Sequence, residues 1–130
     1  MPVLGSYLKK ILVADAVISG AAAVGMAAGS GIMSGLLGLP SELLLGAGLV
    51  LIPWVVALVV IGRRETVPAG IIVAVIATNF AWVAASLIVA FGPMFAPTLL
   101  GKAFVVAQAA TVALLAELQI IGLRRNRAAG

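Results

Sequence analysis

Apolar residues run almost unbroken along this chain in four stretches, separated only by short charged or turn-forming breaks. The first extends from Ile11 to Leu37 after the Lys9-Lys10 pair, and the second from Pro40 to Gly62, where Arg63-Arg64-Glu65 stops it. The third runs from Val67 to Phe91 and ends at Gly92-Pro93; the fourth runs from Pro97 to Leu123, ahead of Arg124-Arg125-Asn126-Arg127. A helix crossing a hydrocarbon core of ~30 Å needs ~20 residues, and each stretch supplies them. A helix packed on a soluble core keeps one polar face, whereas stretches such as 49–61 are apolar all round. The pattern predicts an all-α polytopic membrane protein of one domain, residues 1–130. Its transmembrane helices are expected at about 11–37, 40–62, 67–91 and 97–123, with a basic tail at 124–130.

Proline and glycine sharpen these bounds. Pro40, Pro68 and Pro97 each fall in the first turn of a predicted helix, where the missing N–H leaves no bond unmade. Pro53 falls mid-helix and predicts a kink. The Gly29-Ser30-Gly31 run predicts a bend or frayed end late in the first helix. A cleaved signal peptide is the rival reading of the N-terminus, given the basic start and Ala21-Ala22-Ala23. The apolar run continues past the length of a signal h-region, so a retained helix is expected.

Composition agrees with lipid as the solvent. Hydrophobic residues make up 64% of the chain and charged residues 9%, against ~25% charged in soluble domains. Too few charges remain to cover the large surface of a small domain. If the chain threads the bilayer four times, Lys9, Lys10, Arg63, Arg64, Arg124, Arg125 and Arg127 share one side, and only Lys102 lies on the other. The positive-inside rule makes that side cytoplasmic. The short connections then give an antiparallel up-down bundle with both termini inside, in a bacterial inner membrane. Basic residues at the ends of apolar runs face lipid headgroups, so the net charge of +4 calls for no nucleic acid. The bilayer is the expected partner, with a homo-oligomer or a larger membrane complex around the chain.

The chain has no cysteine and no histidine. Disulfides, thiol catalysis, iron–sulfur clusters, Cys/His zinc sites and His-ligated haem are thereby excluded. No nucleophile–base pair can be assembled, so neither an enzyme nor a bound metal or cofactor is expected.

What chemistry remains lies in polar residues inside the apolar runs. Asp15 lies ~7–8 Å and Glu117 ~10 Å into the membrane from the basic side, counted at ~1.5 Å per residue. They are a candidate acidic pair, for a proton or cation, or else groups that snorkel or pair with a neighbouring Arg. On the opposite side Glu42 and Lys102 open the second and fourth helices, and a structural ion pair between them is expected. Deeper in, Asn79, Trp82 and Ser86 share a face of the third helix, and Gln108, Thr111 and Gln119 share one of the fourth. Lipid offers amides no partner, so Asn79, Trp82, Gln108 and Thr111 form a candidate intramembrane polar site, with an Asn79–Gln108 bond expected. Counting from the basic ends puts Asn79 ~17 Å and Gln108 ~23 Å deep, a mismatch of about one turn. Lys102, Val106, Ala109, Ala113 and Glu117 share another face, with Glu117 about 180° from Gln108. Both faces avoid lipid, so protein is expected on both sides of the fourth helix. Ala21, Gly25 and Gly29 form a small-residue ridge in the first helix, which predicts close helix contact.

In size and topology the chain resembles small four-helix bacterial membrane proteins of the DoxX-like kind, a resemblance of architecture that transfers no residues. The small multidrug transporters also have four short helices but carry a membrane-embedded Glu in the first, where this chain has Asp15 near its basic end. Asn79-Phe80-Ala81-Trp82 does not reproduce the phenylalanine-rich motif of the fluoride channels. The expected role is an accessory, structural or lipid-binding membrane subunit. The alternative is an oligomeric minimal transporter or channel, which would need Asp15, Glu117, Asn79 and Gln108 to converge on a hydrated cavity.

Overall fold

The computed structural model describes residues 5–129, with side chains as far as residue 125. Its elements are helices: α1 (Ser6–Ala28), α2 (Ser30–Leu37), α3 (Ser41–Arg63), α4 (Ala69–Phe91) and α5 (Leu99–Ala129). All but the short α2 are long and apolar enough to cross a membrane.

The first predicted span differs at both ends. Helix α1 begins at Ser6, because Leu8 and Leu12 are both buried one turn apart and draw the Lys9-Lys10 pair into the helix. The expected bend is a break at Gly29, whose amide still donates to Gly25 O at 2.9 Å. Pro40 and Pro68 stand at the N-caps of α3 and α4, and α3 runs through Pro53 without interruption. The predicted basic tail is helical as far as Ala129, since Arg and Ala favour helix and no Pro or Gly intervenes; Gly130 lies outside the described residues.

The connection after α2 positions the far end of the assembly. Gly38 caps α2 at φ 69°, in the left-handed region where glycine carries no Cβ penalty. The Thr98 amide then donates to Leu37 O at 2.9 Å, and its hydroxyl donates to Leu36 O at 2.8 Å. The same hydroxyl accepts from the Gly101 amide at 3.1 Å, capping α5. A Cβ at Gly101 would overlap the Leu37 carbonyl oxygen, so α5 can pass here only with glycine.

Helix α1 packs along α3 and α5, α4 packs along α5, and α2 wedges between α3 and α5 at one end. Helices α3 and α4, consecutive in sequence, make no close backbone approach, and neither do α1 and α4. Helices α1 and α3 approach closely at Gly48, where a Cβ would stand 2.9 Å from Ala23 O and Ala27 N. This corrects the expected ridge. Ala21 and Gly25 are exposed, because the buried face of α1 carries Leu8, Leu12, Asp15, Ser19, Ala23 and Met26 on the opposite side.

Apolar side chains bury in two clusters. One gathers Leu8, Leu12, Leu58, Ile72 and Leu123 with the loop residue Val67; the other gathers Ala23, Met26, Leu37, Leu44, Leu51 and Val105. Along α1, α4 and α5 the polar residues fall between these two clusters. Outside, large apolar residues face out freely, Val24 at 68% and Ile32 at 77% exposure, in keeping with helices long and apolar enough to cross a membrane.

Candidate functional site

Asp15 and Ser19 lie one turn apart on the buried face of α1, and the Ser19 hydroxyl donates to Asp15 Oδ1 at 3.0 Å. Two amides complete the shell. Asn79 Nδ2 of α4 and Gln119 Nε2 of α5 donate to Asp15 Oδ2 at 2.9 and 2.7 Å. Asn79 Nδ2 also donates to Gln119 Oε1 at 2.9 Å. Asp15 is 1% exposed and Gln119 fully enclosed. A carboxyl at this burial has to be hydrogen-bonded, since neither lipid nor apolar side chains can solvate it. Three neutral donors do so, and among the described residues no cation takes part. The Asp15–Asn79 bond spans α1 and α4 where their backbones stay apart.

A second polar cluster lies one turn along α4. Trp82 Nε1 donates to Gln108 Oε1 at 2.8 Å, and Gln108 Nε2 donates to Ser86 Oγ at 2.8 Å and to Val105 O at 2.9 Å. The Ser86 hydroxyl donates to Trp82 O at 2.7 Å. Among the described residues no buried side-chain polar atom lacks a partner.

The expected Asn79–Gln108 bond is therefore replaced by two clusters. The one-turn mismatch in depth explains the exchange: Trp82, three residues beyond Asn79, reaches Gln108, and Asn79 bonds Asp15 and Gln119 instead. Thr111 stays outside both, its hydroxyl donating to Ala107 O of its own helix at 2.9 Å. Asp15 and Glu117 do not meet, because Glu117 is exposed on the face of α5 turned away from Gln119. Nor do Glu42 and Lys102 pair; both are exposed, and α2 stands between the helices that carry them. Gln119 belongs to the polar stripe read from Gln108 and Thr111. Ser19 is not among the residues the sequence singles out; its signal is its place one helical turn after Asp15, from which its hydroxyl reaches the carboxyl.

Two clefts flank these clusters along the α3–α4 seam. One, of about 350 Å³, is lined by Ser19, Pro53, Trp54, Thr78, Asn79 and Trp82, so it touches the carboxyl cluster through Ser19 and Asn79. The other, of about 190 Å³, lies among Met26, Leu43, Ala47, Ser86, Phe104 and Gln108. Trp82 lines both. An apolar molecule would find packing surface here and a few hydroxyl and amide groups to orient it. Searches against protein-family models, curated proteins and solved structures give no significant match to this chain.

Proposed function

We propose that the chain is a structural or lipid-binding accessory subunit of a bacterial inner membrane, built as an antiparallel up-down bundle with both termini in the cytoplasm. The observation that carries this reading is the separation of the polar residues. Asp15 and Asn79 are in one self-satisfied cluster, Gln108 in another, and Glu117 outside both. Groups that satisfy each other in this way stiffen helix contacts, and the clefts beside them suit an apolar guest. Contacts of Gly62 with Leu12 and Gly122 with Leu8 gather Lys9, Lys10, Arg63, Arg64, Arg124 and Arg125 toward one end, which supports the orientation. Glu117, exposed within a membrane-spanning stretch and unpaired among the described residues, supports a neighbouring subunit, since intramembrane charges face protein or water. The architectural likeness to small four-helix membrane proteins fits the same role.

The test is extraction of the intact chain in mild detergent, followed by mass spectrometry of what stays bound. A lipophilic molecule is expected; Ala57 also lines the larger cleft, and Ala57→Trp should displace the guest. Purified protein with no such guest would remove the binding part of the reading.

A second reading has its own observation: Asp15 is a buried carboxyl without a cation, linked by Ser19 to a cleft. That arrangement suits an ion- or proton-coupled transporter. Solute flux into proteoliposomes that Asp15→Asn abolishes, with the fold intact, would favour it.

A further inference from the structure

A third hollow lies away from both clusters, on the outer side of the α1–α3 seam. It is a lateral groove of about 410 Å³ lined by Val13, Ala16, Val17, Val55, Val59, Gly62 and Arg63. Val13, Val17 and Val59 are exposed at 53%, 67% and 38%, so the groove is open to the surrounding solvent, which for this surface is acyl chain. Gly62 lets the two helices close its floor, with Leu12 and Val13 in van der Waals range of where a Cβ would stand.

One end of the groove is basic on both walls. Arg63 ends the α3 wall, one turn beyond Val59, and Arg64 follows it. Lys9 and Lys10 lie one turn below Val13 on the α1 wall. From Val55 to Arg63 the wall is ~12 Å long at ~1.5 Å per residue, close to the ~15 Å of one leaflet's hydrocarbon. Four cations at the mouth of an apolar, leaflet-length groove match one kind of molecule, with an acyl chain at one end and an anionic headgroup at the other.

We propose that this groove is a binding site for a single anionic phospholipid, its headgroup phosphate held by Arg63 with Lys9 or Lys10 and one acyl chain laid along Val13, Val17, Val55 and Val59. The site rests on the membrane embedding of the chain. It does not rest on a guest in the α3–α4 clefts, which lie on another seam.

The experiment titrates the full chain in neutral detergent with phosphatidylglycerol or phosphatidylcholine of identical acyl chains and counts bound lipid by native mass spectrometry. Phosphatidylglycerol is expected to bind in preference, as one tight copy. Arg63→Gln should weaken it about fivefold, the factor that corresponds to roughly one surface cation beside an anionic lipid. Val59→Trp and, from the opposite wall, Val13→Trp should each abolish the tight copy while Arg63 is retained. Circular dichroism establishes that each variant is folded, and Ala57→Trp, in the other cleft, should leave phosphatidylglycerol binding unchanged. Equal binding of the two lipids, or full retention in both Trp variants, would overturn the proposal. Displacement of the lipid by millimolar glycerol phosphate would overturn it too, assigning the basic mouth to a soluble anion.

Discussion

Asp15 accepts three hydrogen bonds from Ser19, Asn79 and Gln119, and the value of that cluster depends on acceptors matching donors. Replacing Asp15 by Leu leaves the Gln119 amide and the Ser19 hydroxyl without this acceptor, while Asn79 keeps only Gln119 Oε1, at about 1–3 kcal/mol for an unsatisfied group. Asp15→Asn keeps one acceptor oxygen for the amides, while its new NH₂ can donate to Ser19 once that hydroxyl turns. We expect Asp15→Asn to cost at most about 1 kcal/mol and Asp15→Leu at least about 2 kcal/mol, read from unfolding in detergent. A double-mutant cycle on Asn79→Ala and Gln119→Ala should show a coupling of about 0.5–1.5 kcal/mol, in the range of interhelical membrane hydrogen bonds. Additive effects at those two positions would remove the Asn79–Gln119 bond from the account. The Asn79–Gln108 cycle should be close to additive, because the two amides belong to separate clusters.

Between helices the decisive contact is the approach of α1 to α3 at Gly48. A Cβ there meets Ala23 O and Ala27 N at 2.9 Å, both backbone atoms of another helix, which cannot swing aside as a side-chain end can. Gly46, two residues earlier, has nothing within 4 Å of a built Cβ. Gly48→Leu should therefore destabilise the fold by about 1–3 kcal/mol, the usual cost of overpacking, while Gly46→Leu should leave it unchanged. Equal midpoints for the two variants in thermal unfolding would show that the α1–α3 seam is not packed this closely. The seam between α3 and α4 lies at the other extreme. Its helices are adjacent in sequence yet do not touch backbone to backbone, and the clefts beside Trp82 occupy the gap.

For the molecule as a whole, asymmetry of charge and asymmetry of packing point the same way. Arg125 lies with its guanidinium 4.6 Å from the Tyr7 ring centroid, tying the end of α5 to the start of α1 at the basic end. A reporter joined after Gly130 should therefore be active only if it functions in the cytoplasm, and a periplasm-dependent reporter at the same place should be silent. Periplasmic activity there would reverse the orientation, and with it the leaflet in which the α1–α3 groove meets its lipid.

The four long apolar helices and their approximate spans were legible in the sequence because a bilayer asks for one thing over ~20 residues, continuous apolarity, and 11–37, 40–62, 67–91 and 97–123 each supply it; the break that sets the short α2 apart from α1 was legible only as a bend near Gly29. Which residues would be polar inside that layer was legible too, since Asp15, Asn79, Gln108 and Gln119 interrupt the apolar runs. Periodicity also put Asn79, Trp82 and Ser86 on one face, and Gln108 with Gln119 on another. The pairing of those faces came only from the tertiary structure. Helix depth counted from flanking charges is uncertain by about one turn, and one turn is enough to send Gln108 to Trp82 instead of Asn79. Rotation decided the rest: α1 turned its Asp15–Ser19 face inward and left Ala21 and Gly25 outside, and α5 turned Glu117 away from Asp15. These choices depend on how four helices fill the space between them, a property of all of them together that no single apolar run carries.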